Sequence, residues 1–135
     1  MTEAVVRWSA DDRFVGESGG HEIPLDAGSE KSAQTPMELV LVALCGCTAS
    51  DVVNILRKKR EPFTRLEVRA TGERSETVPR VYTRIRLTYR VGGNVSRKAM
   101  EDAVRLSKEK YCSVSQMLEK TAQIDFVIEY SERSS

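Results

Sequence analysis

One stretch constrains this chain more than any other. At residues 35–38 it reads Thr35-Pro36-Met37-Glu38, and a largely apolar run follows to Leu56. Thr35 suits a helix N-cap, Pro36 suits the first helical position, and Glu38 completes a capping box. The run ends in Arg57-Lys58-Lys59-Arg60, which complements a helix C-terminal dipole, and Pro62 follows. About 20 apolar residues can span a bilayer. Gly46, Thr48, Ser50, Asp51 and Asn54 interrupt the second half, however, and a charge within lipid is costly. The expectation is no membrane span but a helix buried on most sides, in a protein core or a dimer interface.

The flanking segments read as strands and shorter helices. Residues 4–8 and 13–16 form two short strands joined by a Ser-Ala-Asp-Asp turn, with a third strand around residues 21–25. At 66–70 and 81–91 apolar and polar residues alternate, as in an antiparallel sheet with one wet face. The second series places Val81, Thr83, Ile85, Leu87, Tyr89 and Val91 on one face, and Tyr82, Arg84, Arg86, Thr88 and Arg90 on the other. Ser96 caps a second helix with Ala99, Ala103, Leu106 and Lys110/Tyr111 along one stripe. Ser113 and Gln116 suggest another capping box, opening a short helix over 114–121. Alternation at Ile124, Phe126, Ile128 and Tyr130 gives a last strand. The sum is an α+β domain, mostly antiparallel, in the order β-β(-β)-α-β-β-α-α-β, the strand around residues 21–25 being the optional one. No linker or repeat divides the 135 residues, which predicts one domain over 1–135.

With 21 basic and 20 acidic residues, the net charge of +1 argues against a general nucleic-acid or membrane-surface binder. Arg84, Arg86 and Arg90 line one strand face, with Tyr82 as the aromatic available for stacking. This is the RNA-module reading. Glu67, Asp125 and Glu129 on neighbouring strands offset that row, so cross-strand charge pairing is the simpler account.

Three cysteines in a chain whose start shows no basic and apolar leader pattern point to a reducing, cytoplasmic compartment. Cys45 and Cys47 lie two apart on the long helix and face opposite ways, so they neither pair nor share a metal. With Cys112 distant in sequence and His21 the single histidine, no metal cluster is expected. Cys112 precedes the short helix capped at Ser113. A helix N-terminus there favours the thiolate and lowers the thiol pKa.

Together, Thr35-Pro36-Met37-Glu38-Leu39, Gly46-Cys47 and the separate Cys112 with Ser115 resemble the OsmC/Ohr family. Residues 32–56 most resemble its YhfA-type branch. The resemblance implies an intertwined homodimer with mostly antiparallel sheets wrapped around a central apolar helix. It also implies thiol-dependent reduction of organic or inorganic hydroperoxides, with Cys47 peroxidatic and Cys112 resolving, a dithiol or lipoyl reductant, and no metal or other cofactor. Cys45 has no role in that scheme and is assigned to packing. In the peroxidase branches a Glu follows the helix-start Pro and pairs with an Arg. Met37 stands at that Glu position, and Leu25-Asp26-Ala27-Gly28 carries no Arg. Glu38 and Arg13 are the candidate supporting residues. The competing reading within the family is a non-catalytic protein that binds a lipid-like or other small molecule, or senses redox state.

Overall fold

The computed structural model describes residues 1–131. They fall into two compact units, Met1–Val40 and the described residues from Leu41 onward. The first unit holds the strands β1 (Val5–Ala10), β2 (Arg13–Ser18) and β3 (His21–Asp26), an antiparallel meander in that order. Gly19 and Gly20 turn β2 into β3 with φ of 57° and 80°, so both central residues are left-handed, as a two-residue hairpin turn requires. Asp26, at the end of β3, is buried. Its carboxylate accepts the backbone N–H groups of Gly28 (2.8 Å) and Ser32 (2.9 Å) and the Ser32 hydroxyl (2.8 Å). These donors hold its pKa below the usual carboxylate value and organise the loop that leads to the long helix.

That helix, α1, runs Pro36–Lys58. The capping box forms as expected: Glu38 N–H donates to Thr35 Oγ1 (3.2 Å), and Thr35 N–H donates to the Glu38 carboxylate (2.9 Å). Leu44, Thr48, Val52 and Leu56 are its buried residues, one every four positions, so a single stripe is covered. Burial on most sides is therefore not met within one chain; Val42, for example, is 57% exposed. By length and composition alone α1 could cross a membrane. Its buried stripe instead packs through Thr48 against Tyr89 of a strand.

The second sheet contains β4 (Phe63–Arg74), β5 (Tyr82–Gly93) and β6 (Gln123–Tyr130), in that order. β4 and β5 form an antiparallel hairpin, whereas β6 runs parallel to β5. Parallel neighbours need a long crossover. Here α2 (Arg97–Leu106), one π-helical turn (Ser107–Tyr111) and α3 (Ser113–Leu118) supply it. Ser96 caps α2 as expected, its Oγ accepting the Ala99 N–H at 3.2 Å. Gly93 has a φ of 101°, and a side chain there would meet Pro62 O at 2.6 Å, so the strand end needs glycine.

Three sequence expectations require correction. Tyr82 is buried rather than on the wet face, and Val81 lies outside the strand. The register slips so that Glu73 pairs with Arg84 but Arg74 with Tyr82. Thr83 is the extra residue, and this bulge turns Tyr82 inward, its ring against Gly72. The stripe expected through Leu106 and Tyr111 is broken: Leu106, at the end of α2, is exposed, and the π turn adds a residue that leaves Tyr111 exposed as well. Finally, α3 starts at Ser113 with Cys112 as its N-cap. Gln116 does not close a box with Ser113; its amide donates to the carbonyls of Lys108 and Glu109 within the π turn.

Candidate functional site

Within the unit that begins at Leu41, α1 and the α2–α3 segment bring two thiols together. Cys47 and Asp51 are four residues apart on α1 and therefore share a face. Cys112 comes to them from the N-cap of α3. The sulfurs of Cys47 and Cys112 and one Asp51 carboxylate oxygen lie within 4.8 Å of one another. Cys47 and Asp51 are half-buried, and Cys112 is fully buried.

Asp51 terminates a chain of buried hydroxyl groups. The Ser107 hydroxyl donates to Asp51 at 2.8 Å. Ser107 Oγ also lies 2.8 Å from Thr48 Oγ1, which lies 2.6 Å from the Tyr89 hydroxyl. With Ser107 donating to the carboxylate, a consistent set of donors runs Tyr89 to Thr48 to Ser107 to Asp51. Tyr89 and Ser107 have no exposed surface, and burial pushes the Tyr89 phenol up to about 12. The network therefore holds neutral hydroxyls against one carboxylate and fixes its orientation. Ser107 is placed for this by opening the π turn, closed by Cys112 N–H donating to Ser107 O at 2.8 Å. One irregular turn thus aims the serine at Asp51 and sets Cys112 as the next cap.

Cys112 differs from its expected chemistry. The Ser115 N–H does reach its sulfur, at 3.4 Å. Burial nevertheless dominates and pushes the thiol up to about 12, with Cys47 and Asp51 raising it further. The lowered pKa expected from the helix N-terminus is overturned, because one backbone donor on a six-residue helix does not offset the loss of water around the thiolate. Cys45 lies outside this group, and burial raises its thiol pKa as well. The sequence argument against a metal cluster also fails in part. Cys112 is remote in sequence yet joins Cys47, and a carboxylate completes a set of three ligand atoms.

Glu38 and Arg13 belong to the unit Met1–Val40 and are engaged there. Besides its cap, Glu38 pairs with Lys31 at 3.3 Å. Exposed Arg13 pairs with Asp11 at 3.4 Å. On the second sheet, Arg86 pairs with Asp125 at 3.9 Å, and Arg90 stands opposite Glu67 and Glu129. The basic row thus faces acids across the strands, and Tyr82 is not on that face. In the sequence Asp51 stands out only as an interruption of the apolar helix. Its four-residue spacing from Cys47 was the available signal, while Thr48, Ser107 and Tyr89 gave none.

Comparison with known proteins places the chain. The family described as OsmC-like protein matches residues 28–127. Protein YhfA of Escherichia coli K12 is 47% identical over 124 residues, covering 90% of this chain and 92% of that protein. The crystal structure of a hypothetical protein from Aquifex aeolicus superposes with a TM-score of 0.85 at 32% identity, over 97% of this chain and 98% of the other. An organic hydroperoxide resistance protein from Elizabethkingia anophelis shares the fold, with a TM-score of 0.74 at 11% identity, over 97% and 96% of the two chains. The α+β order of two three-stranded sheets and three α-helices is the one these structures share, and the chain belongs to the OsmC-like protein family.

Proposed function

We propose that this redox-related OsmC-like protein reduces hydroperoxides through Cys47 and Cys112, acting as a single domain over residues 1–135. The observation that carries the reading is the approach of the two sulfurs to within 4.8 Å, although the residues are far apart in sequence. The fold shared with a hydroperoxide resistance protein agrees with it. The Cys47 sulfur attacks the distal oxygen of ROOH, and its thiol proton passes to the leaving alkoxide. The O–O bond breaks, sulfur is oxidised to the sulfenic acid, and the alkoxide leaves as ROH after taking a proton. Cys112 then displaces hydroxide from the sulfenic sulfur, and with its thiol proton this departs as water, leaving a disulfide. A dithiol of the lipoyl class reduces the disulfide by exchange and is itself oxidised to its cyclic disulfide. Glu38 and Arg13 keep their cap and turn roles. Of the thiol pair Cys47 is half-buried and Cys112 fully buried, so Cys47 is the more accessible to a substrate, which suits it to the first step.

The test is peptide mapping of reduced protein after one equivalent of an organic hydroperoxide, with peroxide consumption followed in parallel. A Cys47–Cys112 disulfide is expected, with turnover when a dithiol is added. Peroxide consumption no faster than in Cys47→Ser defeats the enzyme reading. Sulfinic acid at Cys47 with Cys112 untouched defeats the resolving role. The burial of Cys112, which keeps its thiol neutral, favours a second reading, a redox sensor or binding protein without turnover. In that case one oxidation occurs per chain, and dithiol supports no further consumption.

A homodimer belongs to the same proposal. Only one stripe of α1 is covered within the chain, and Val42 on its other side is exposed. Sedimentation is expected to give twice the 15.1 kDa chain mass. A monomer would remove the dimer from the proposal.

A further inference from the structure

We propose that, in the reduced protein, Cys47, Asp51 and Cys112 form a binding site for a thiophilic divalent cation of the zinc class. The proposal needs the two thiols in their reduced state beside Asp51 and holds whether or not the protein turns over peroxide.

The geometry is close to that of a metal site. Tetrahedral zinc binds sulfur at about 2.3 Å and carboxylate oxygen at about 2.1 Å, which sets neighbouring ligand atoms roughly 3.6–3.8 Å apart. The three atoms already lie within 4.8 Å of one another, so closure around an ion takes about an ångström of side-chain movement. The donors sit on regular structure. Cys47 and Asp51 occupy successive turns of α1, and Cys112 is fixed as the α3 cap. Two thiolates and a carboxylate suit zinc and its soft neighbours and do not suit calcium or magnesium, which take all-oxygen sets.

The surroundings are organised around these ligands. The Ser107 hydroxyl holds Asp51 at 2.8 Å and is itself anchored through Thr48 to Tyr89. Such outer hydrogen bonds orient metal ligands. The Ser115 N–H holds the Cys112 sulfur. The Ser115 hydroxyl is buried, and among the described residues it has no hydrogen-bond partner. An orphaned buried hydroxyl calls for an explanation. Binding displaces the two thiol protons, and the site then carries charge −1: two thiolates, one carboxylate and a divalent ion. A metal-bound thiol is deprotonated outright, so the ion itself meets the cost of forming thiolates at this buried position.

The test uses the reduced full-length chain, titrated with cobalt(II) as a spectroscopic probe and then with zinc. One cobalt per chain is expected, with a thiolate-to-cobalt charge-transfer band that zinc abolishes. Zinc binding is expected to release protons. Cys47→Ser and Cys112→Ser should each diminish the band, and Asp51→Asn should weaken zinc binding by about tenfold or more. Cys45→Ser should leave both readouts unchanged. Absence of the band in the unaltered protein overturns the proposal, as does an equal loss in Cys45→Ser. Because Cys112 is fully buried, its variant can fail to fold. The half-buried Cys47 and Asp51 variants, checked by circular dichroism, then decide: full zinc affinity in a folded Asp51→Asn or Cys47→Ser protein overturns the site.

Discussion

β5 and β1 are both rich in apolar residues, and they end in opposite surroundings. In β5, Ile85, Leu87, Tyr89 and Val91 are at most 2% exposed, whereas Val5, Val6 and Trp8 of β1 are 39%, 59% and 68% exposed. Both strands lie in three-stranded sheets. The second sheet has β5 at its centre, and its unit contains the helical crossover and most of α1. The unit Met1–Val40 holds only the first turns of α1 besides its meander. A three-stranded sheet gains independent stability from a hydrophobic face that something covers. The difference teaches where the chain keeps its stability: the second sheet rests on packed side chains, and the first on ladder hydrogen bonds and the Asp26 loop.

The largest effect that would sharpen this contrast is expected from Leu87→Ala. Removing a fully buried leucine costs about 2–5 kcal/mol, read as a lower denaturation midpoint. A change below about 1 kcal/mol would mean that the second sheet is not the packed one. Next comes Thr48→Val, which cuts the hydroxyl chain and leaves the buried Tyr89 phenol and the Ser107 hydroxyl each short of a partner. The expected cost is about 1–3 kcal/mol, and the loss should shrink when Thr48→Val is combined with Tyr89→Phe in a double-mutant cycle. Strict additivity would show that the two groups do not interact in solution. The smallest effect is expected from Trp8→Ala, within about 0.5 kcal/mol for an exposed position, measured at low protein concentration. Its indole donates one hydrogen bond, to Asp11 O at 2.8 Å, at the surface. A loss as large as that of Leu87→Ala would break the comparison, since another chain would then cover β1.

Local features of the sequence carried through to the structure. The capping box at Thr35 and Glu38 spans three residues, and its partners are chemically fixed. The alternation from Ile85 to Val91 reads directly as a buried and a wet face. Tyr82 escaped that reading because a single extra residue at Thr83 inverts the phase, and no residue type announces a bulge. Cys112 was placed one position from its role because neighbouring residues can each serve as a cap. Its burial, which reverses the expected pKa direction, comes from residues distant in the chain.

The candidate site divides in the same way. From the sequence came the family likeness, the two thiols proposed as a working pair and the separation of Cys45 from Cys47, since helical spacing fixes which residues share a face. The tertiary structure alone decided that Cys47 and Cys112 approach each other, that Asp51 completes the group, and that β6 runs parallel to β5. Asp51 and Ser107 are 56 positions apart, and Thr48 and Tyr89 are 41 apart. Periodicity and capping act over a few residues. Contacts at those separations exist only once the helices and the sheet have packed, and the packing sets both the solvation of the thiols and the company they keep.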